Sequence, residues 1–85
     1  MNRIEILNKV TGVFHDVFDD NSIVITDTTV ADDIEDWDSL SHITLVSEIE
    51  EKFGHRFTMK EVTEMRNVGE MLDILEKHLE NISKD

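Results

Sequence analysis

The stretch Asp36-Trp37-Asp38-Ser39-Leu40 decides how this chain is expected to fold. Before it lies a polar segment, residues 19–37, rich in Asp, Asn, Ser and Thr. After it an amphipathic pattern begins, and a serine stands in its first turn. Asp and Ser are both favoured at helix starts, because their side-chain oxygens accept from amides that lack an intrahelical partner. With Asp38 as N-cap, the spacing predicts a helix from about Asp38 to Phe53. Leu40, Ile43, Leu45, Val46, Ile49 and Phe53 are expected on its apolar side, and Gly54 is a stop signal.

Toward the N-terminus, Ile6, Leu7, Val10, Val13, Phe14, Val17 and Phe18 recur at steps of three and four, which predicts a helix from about Asn2 to Phe18. Asn2 followed by Glu5 is a capping-box pattern. Gly12 inside this helix costs about 1 kcal/mol against alanine; close packing is the expected reason for it. Between the two helices, Ile23, Ile25, Val30, Ile34 and Trp37 are expected to pin a long loop onto the core. A hairpin through Ile23-Val24-Ile25 is the rival reading, but no matching second strand follows.

Toward the C-terminus, Thr58 and Glu61 form a capping box ahead of a short helix that carries Val62 and Met65. Asn67 and Glu70 form another. The last helix is expected to reach about Ile82, with Val68, Met71, Leu72, Leu75, Leu79 and Ile82 inward. The expected architecture is all-α: a small antiparallel four-helix bundle of three main helices and one short one, with a long loop between helices 1 and 2. The chain has no proline, three glycines and no repeat, so residues 1–85 read as a single domain.

Composition narrows the function. Twenty acidic residues against eight basic ones give a net charge of -12. Nucleic acid and anionic membranes both call for basic patches, so neither is an expected partner; proteins with basic faces are. Cysteine is absent, which excludes disulfides, zinc–thiolate sites and a cysteine nucleophile. No apolar run has the length of a membrane span, and Met1-Asn2-Arg3-Ile4-Glu5 lacks the apolar region of a secretory signal. The expected compartment is the cytoplasm. With 39 % apolar residues there is enough for one modest core.

Three chemistries compete at Ser39. Asp38 or Ser39 can simply cap the helix. Ser39 can be a nucleophile with His42 as base and Asp38 as orienter, but the chain has no Gly-x-Ser-x-Gly elbow and no evident oxyanion hole. Or Ser39 can be a covalent anchor modified by another enzyme. The positive end of a helix tolerates a phosphate, and an anchor needs exposure rather than activation.

The chain resembles the acyl carrier proteins, which carry a phosphopantetheine arm. Asp38-Ser39-Leu40 is similar to that family's Asp-Ser-Leu attachment site. The resemblance extends over nearly the whole chain, from the first amphipathic helix and long loop through Leu45-Val46, Glu48-Ile49-Glu50-Glu51, Phe53-Gly54 and a short third helix to Asn67-Val68. It implies that a separate phosphopantetheinyl transferase, using magnesium and coenzyme A, esterifies Ser39 with 4'-phosphopantetheine. The arm's thiol would then carry an acyl or related group as a thioester to acyl-loading and acyl-processing enzymes. The domain itself would catalyse nothing and would work as a monomer. The resemblance makes the second helix the main docking element for basic patches on these enzymes. Asp38, Leu40, Glu48, Glu50 and Glu51 are its expected contacts, with Ser41, Thr44 and Ser47 exposed on the same helix. Val62 and Met65 would flank the arm. As a lone acidic helix, Glu48, Glu50 and Glu51 equally describe a solvated face, and Met65 equally describes a core residue.

The chain departs from the usual pattern in four places. Asp36 stands where many carriers have glycine, Trp37 where a smaller residue is usual, and Ser41 and Thr44 where fatty-acid carriers often have carboxylates. These departures, with the basic Arg66 just before the last helix, point to a specialised carrier for a polyketide-like, amino-acid or modified-sugar pathway. An unmodified acidic adaptor is the alternative from another class. No metal site is expected. His15, His42, His55 and His78 have no metal-ligand spacing, and three of them are expected at the surface. No register of Asp32, Asp33, Asp36 and Asp38 meets the glycine and glutamate requirements of a calcium loop.

Overall fold

A computed structural model describes the backbone of residues 2–83 and the side chains of residues 2–79. Helix α1 spans Arg3–Phe18. Asn2 caps it, with Oδ1 accepting from the Glu5 amide at 2.9 Å. It ends at Asp19, whose φ of 51° is the left-handed cap conformation that Asp adopts more readily than most residues. Helix α2 spans Ser39–Phe53 and ends at Gly54, with φ 69°. Helix α3, Met59–Glu64, carries the complete Thr58/Glu61 capping box. Helix α4 spans Val68–Ser83, and Asn67 Oδ1 accepts from the Glu70 amide at its start. The architecture is all-α: three long helices, one short, and a long connection after α1.

Helix α1 packs against both α2 and α4, and α3 packs against α4. Ile6, Val10 and Phe14 of α1, Leu45 and Ile49 of α2, and Val68, Met71, Leu72 and Leu75 of α4 are fully buried. The periodicity of α1 and α4 thus matches their burial through Leu79, which is half-buried. The Ile82 side chain lies outside the described residues. The long loop is pinned as its composition suggests. Ile25, Ile34 and Trp37 are buried in the same core, and one 3₁₀ turn forms at Ala31–Asp33. The rival hairpin does not form; the loop makes a single isolated bridge, Val30 to Asn67.

That bridge belongs to a seam between the loop and α4. The first amides of a helix have no intrahelical acceptor. Here the Val68 amide donates to the Thr29 carbonyl at 2.9 Å, and the Gly69 amide to the Asp27 carbonyl at 2.8 Å. A Cβ on Gly69 would stand 2.7 Å from the Asp27 carbonyl oxygen, so glycine permits the approach. Arg3 closes the seam from the other side. Its guanidinium donates to Asp73 at 2.8 Å, to Glu76, to Asp27 at 3.1 Å and to the Gly69 carbonyl at 3.3 Å. The Asp73 bond above all, then the Glu76 bond, holds the arginine further than usual from losing its proton.

Three expectations are corrected. Leu40 and Ile43 are not on the apolar side of α2; they are 78 % and 64 % exposed. At about 100° per residue, Leu45, Val46, Ile49 and Phe53 define one face; Leu40 falls opposite it, and Ile43 stands at its edge, about 60° from Val46. Gly12 allows no close packing, because a Cβ there would meet nothing within 4 Å. And none of the four histidines is fully exposed. His15 Nε2 lies 2.8 Å from the Ile23 carbonyl, and His78 Nε2 lies 2.9 Å from Glu61. The His55 and His78 rings are neighbours, with centroids 5.9 Å apart.

Candidate functional site around Ser39

The N-cap of α2 is Asp38, and Ser39 is the first helical residue. Asp38 Oδ1 accepts from the amides of Leu40 at 3.0 Å and Ser41 at 2.9 Å. These bonds favour the ionised carboxylate, the Ser41 amide most of all, and push the Asp38 pKa down. Ser41 answers in kind. Its hydroxyl accepts from the Asp38 amide at 2.7 Å and donates to the Asp36 carbonyl at 2.8 Å. Two of the three polar side chains at the helix start are therefore committed to building it. The third, Ser39, is exposed, and among the described residues its hydroxyl has no hydrogen bond.

Trp37 fixes this turn to the core. It is 6 % exposed, and its indole meets the Phe14 ring edge-on at 5.2 Å. Indole Nε1 donates to His42 Nδ1 at 3.1 Å, and the two rings stack. His42 Nε2 then faces the Val62 carbonyl at 3.4 Å. One tautomer satisfies both contacts, with the proton on Nε2 donated to Val62. A chain of contacts thus runs from α1 through Trp37 and His42 to α3. Both ring nitrogens of His42 are engaged away from Ser39, so the serine has no general base there.

Between α2 and α3 lies an open groove of about 630 Å³. Ser39 is on its lining, together with Trp37, His42, Val62, Met65 and Arg66. Val62 is half-buried; Met65 is only 4 % exposed, a core residue that also reaches the groove. Along α2, Thr44, Ser47, Glu48 and Glu51 are exposed with Leu40 and Ile43. Two other expected surface residues have structural work instead. Ser41 is half-buried in the cap. Glu50 is half-buried, and its Oε2 accepts from the Phe57 amide at 2.8 Å, which fastens the turn between α2 and α3. Ile43 is a surface residue that the apolar pattern hid, because on a helical wheel it stands only about 60° from buried Val46.

An accessible hydroxyl on a helix start, beside a groove and with no base aimed at it, suits a point of attachment better than a catalytic nucleophile. A family model for the phosphopantetheine attachment site matches residues 4–75. The chain belongs to this family, that of the acyl carrier proteins, which hold thioester intermediates on phosphopantetheine and do not catalyse their conversion. It is 33 % identical over 76 residues to the acyl carrier protein of Tropheryma whipplei (strain Twist), covering 88 % of this chain and 92 % of that one. It is 32 % identical over 76 residues to that of Thermosynechococcus vestitus, covering 88 % and 93 %. The solution NMR structure of holo acyl carrier protein from Geobacter metallireducens superposes with a TM-score of 0.85 at 40 % identity, covering 92 % of this chain and 90 % of that one.

The residues present fit a phosphopantetheine. Its phosphate needs a free hydroxyl near the positive end of a helix, which Ser39 supplies at the start of a 15-residue helix. Its chain needs a groove of mixed character, and the lining runs from apolar Val62 and Met65 to charged Arg66. Among the described residues no cluster of His, Asp or Glu is arranged to hold a metal ion. No helix among them is long and apolar enough to cross a membrane.

Proposed function

We propose that Ser39 is the residue esterified with 4'-phosphopantetheine, and that residues 1–85 act as one carrier domain that shuttles a tethered intermediate between enzymes. The observation that carries this is the division of labour at the start of α2. Asp38 and Ser41 are spent on the cap, and Ser39 alone keeps an exposed, uncommitted hydroxyl. When bound, the arm supplies a terminal thiol that holds the cargo as a thioester, chemistry that a chain without cysteine cannot provide. The protein's own residues do the rest. Asp38 and Ser41 hold the helix start rigid, Trp37 and His42 keep the groove walls together, and Val62 and Met65 offer an apolar surface to the arm. Tethering keeps the cargo at high effective concentration once the carrier has docked.

The outer face of α2 is the docking surface in this reading. Leu40 and Ile43 form its apolar centre, Asp38, Glu48 and Glu51 its acidic rim, and Thr44 and Ser47 the ground between. Such a surface suits a partner with a shallow apolar site bordered by basic residues. The phosphopantetheinyl transferase and the loading and processing enzymes would share it, in the cytoplasm, with the carrier as a monomer. The absence of any carboxylate in the first turn of α2 favours a specialised pathway over general fatty-acid synthesis.

The test is intact mass after incubation with coenzyme A, magnesium and a broad-specificity transferase. The chain gains one phosphopantetheine and Ser39→Ala gains none. A Ser39→Ala chain that still gains the arm overturns the assignment.

A further inference from the structure

The groove beside Ser39 holds a cation that the carrier function does not yet use. Arg66 lies on its lining, in a chain with twenty acidic residues. Arg3 has three carboxylate partners and Lys60 lies 4.0 Å from Glu64, whereas Lys52, Arg56 and Lys77 form no ion pair among the described residues; of the unpaired cations, Arg66 is the one that lines the groove beside Ser39. Arg66 is exposed, and among the described residues its guanidinium forms no ion pair and no hydrogen bond. This is not because its position is loose. Met65 before it is buried in the core, and Asn67 after it pairs with Val30 and caps α4. The Arg66 amide itself donates to the Glu64 carbonyl at 2.9 Å. The backbone is held on both sides, and the exposed side chain is left without a partner at the lining of the groove.

The rest of the groove sharpens the point. Its other charged lining residues are Asp32 and Asp38, and both repel an anion. An arm from Ser39 brings a phosphodiester into this acidic setting, and a cargo with a free carboxylate would bring a second negative charge. Guanidinium is the side chain best matched to either group, because its planar donors meet phosphate and carboxylate oxygens in pairs.

We infer that Arg66 is the anion-binding residue of the groove, and that it holds a negatively charged group on the tether: the arm's phosphodiester or a carboxylate at the end of the cargo. The inference rests on Ser39 being the attachment site. It assigns Arg66 a part in selecting cargo if the carboxylate is the group held.

The test follows the Arg66 side chain by NMR through successive loading steps, with intact mass recorded at each step. The chain has three arginines, so the Nε–H region is simple, and the signal missing from Arg66→Gln identifies residue 66. The spectra compare the unmodified chain, the chain with the bare arm, and chains carrying butyryl and succinyl thioesters, which match in length and differ in the terminal carboxylate. A shift of the Arg66 signal on addition of the bare arm assigns the phosphodiester. A shift with succinyl and none with butyryl assigns the cargo carboxylate. Either shift should shrink as salt is raised. Arg66→Lys should retain part of the accompanying changes at the Val62 and Thr63 amides, and Arg66→Gln should lose them. The melting temperature of unmodified Arg66→Gln should equal that of the parent; a marked drop would make Arg66 a structural residue and overturn the inference. An unmoved Arg66 signal on chains whose mass proves every loading step overturns it as well, and leaves the carrier assignment standing. A chain that takes no arm overturns both.

Discussion

At the residue scale, the start of α2 separates three neighbouring side chains by what each is free to do. Asp38 and Ser41 exchange hydrogen bonds with each other's backbone, and Ser39 between them is left open. This is why the bare tripeptide cannot be told from a helix cap: it contains a cap and, beside it, a serine whose hydroxyl the cap does not use. Gly12 makes the opposite case. It sits inside α1 with open space where its Cβ would be, so nothing offsets its poor helix propensity. Gly12→Ala should therefore stabilise the chain by about 1 kcal/mol. Urea denaturation would read this as a higher midpoint at unchanged slope; a lower midpoint would mean that the glycine has a packing role.

At the element scale, local signals placed the helices and distant contacts joined them. The caps at Asn2, Asp38, Thr58 and Asn67 are settled within about three residues of sequence, so the helix starts were legible from the chain alone. The seam was not. Arg3 reaches Asp27, Asp73 and Glu76, and Gly69 receives the Asp27 carbonyl, across separations that no periodicity reveals. Glu50 looked like a docking carboxylate for the same reason, since its amide partner Phe57 lies two turns on, past the helix end. Gly69→Ala should cost about 1–3 kcal/mol, because its Cβ would press on a backbone carbonyl and not on a flexible side chain. A melting temperature equal to the parent's would show that the seam can yield.

Helix α3, which walls the groove, depends on a titratable cap. The Thr58 amide, and next the His78 contact, pull the Glu61 pKa below its ordinary value of 4.5. A depressed carboxylate stabilises the fold fully above its unfolded pKa, and the contribution disappears as pH falls through the folded value. Glu61→Gln keeps an acceptor for the Thr58 amide but loses the charge, and should thus be less stable than the parent by about 1 kcal/mol at pH 7, the difference between a charge-assisted and a neutral hydrogen bond. In acid well below the ordinary glutamate range the two should melt together. A difference that persists there would assign the effect to shape rather than charge.

At the scale of the whole molecule, the charge of -12 is spread over a small bundle with few internal ion pairs. Self-repulsion works against compactness. The melting temperature should rise with added sodium chloride or magnesium, most steeply below about 0.1 M, where the Debye length is still above about 10 Å. A melting temperature indifferent to both would mean that the carboxylates lie too far apart to matter. The same charge leaves the outer face of α2 acidic at its rim, while Leu40 and Ile43 give it an apolar centre. The sequence pattern had placed those two residues in the core. Its six apolar positions span more than one face of the helix: the wheel angle separates Leu40 from the buried set, but Ile43 stands about 60° from buried Val46, and only the placement of the other helices leaves it outside. The carrier reading itself was legible, because charge, length, helix order and the Asp-Ser-Leu start all bear on it together.

The most direct measurement is fragmentation mass spectrometry of the loaded parent chain, to locate the arm within residues 36–47. Ser39, Ser41 and Ser47 all lie in this window, and all three carry a hydroxyl. The whole phosphopantetheine mass should fall on Ser39 and none on Ser41, whose hydroxyl is held in the cap. Finding the arm on Ser41 or Ser47, or finding a folded and unmodified chain that accepts no arm from any transferase, would contradict this expectation.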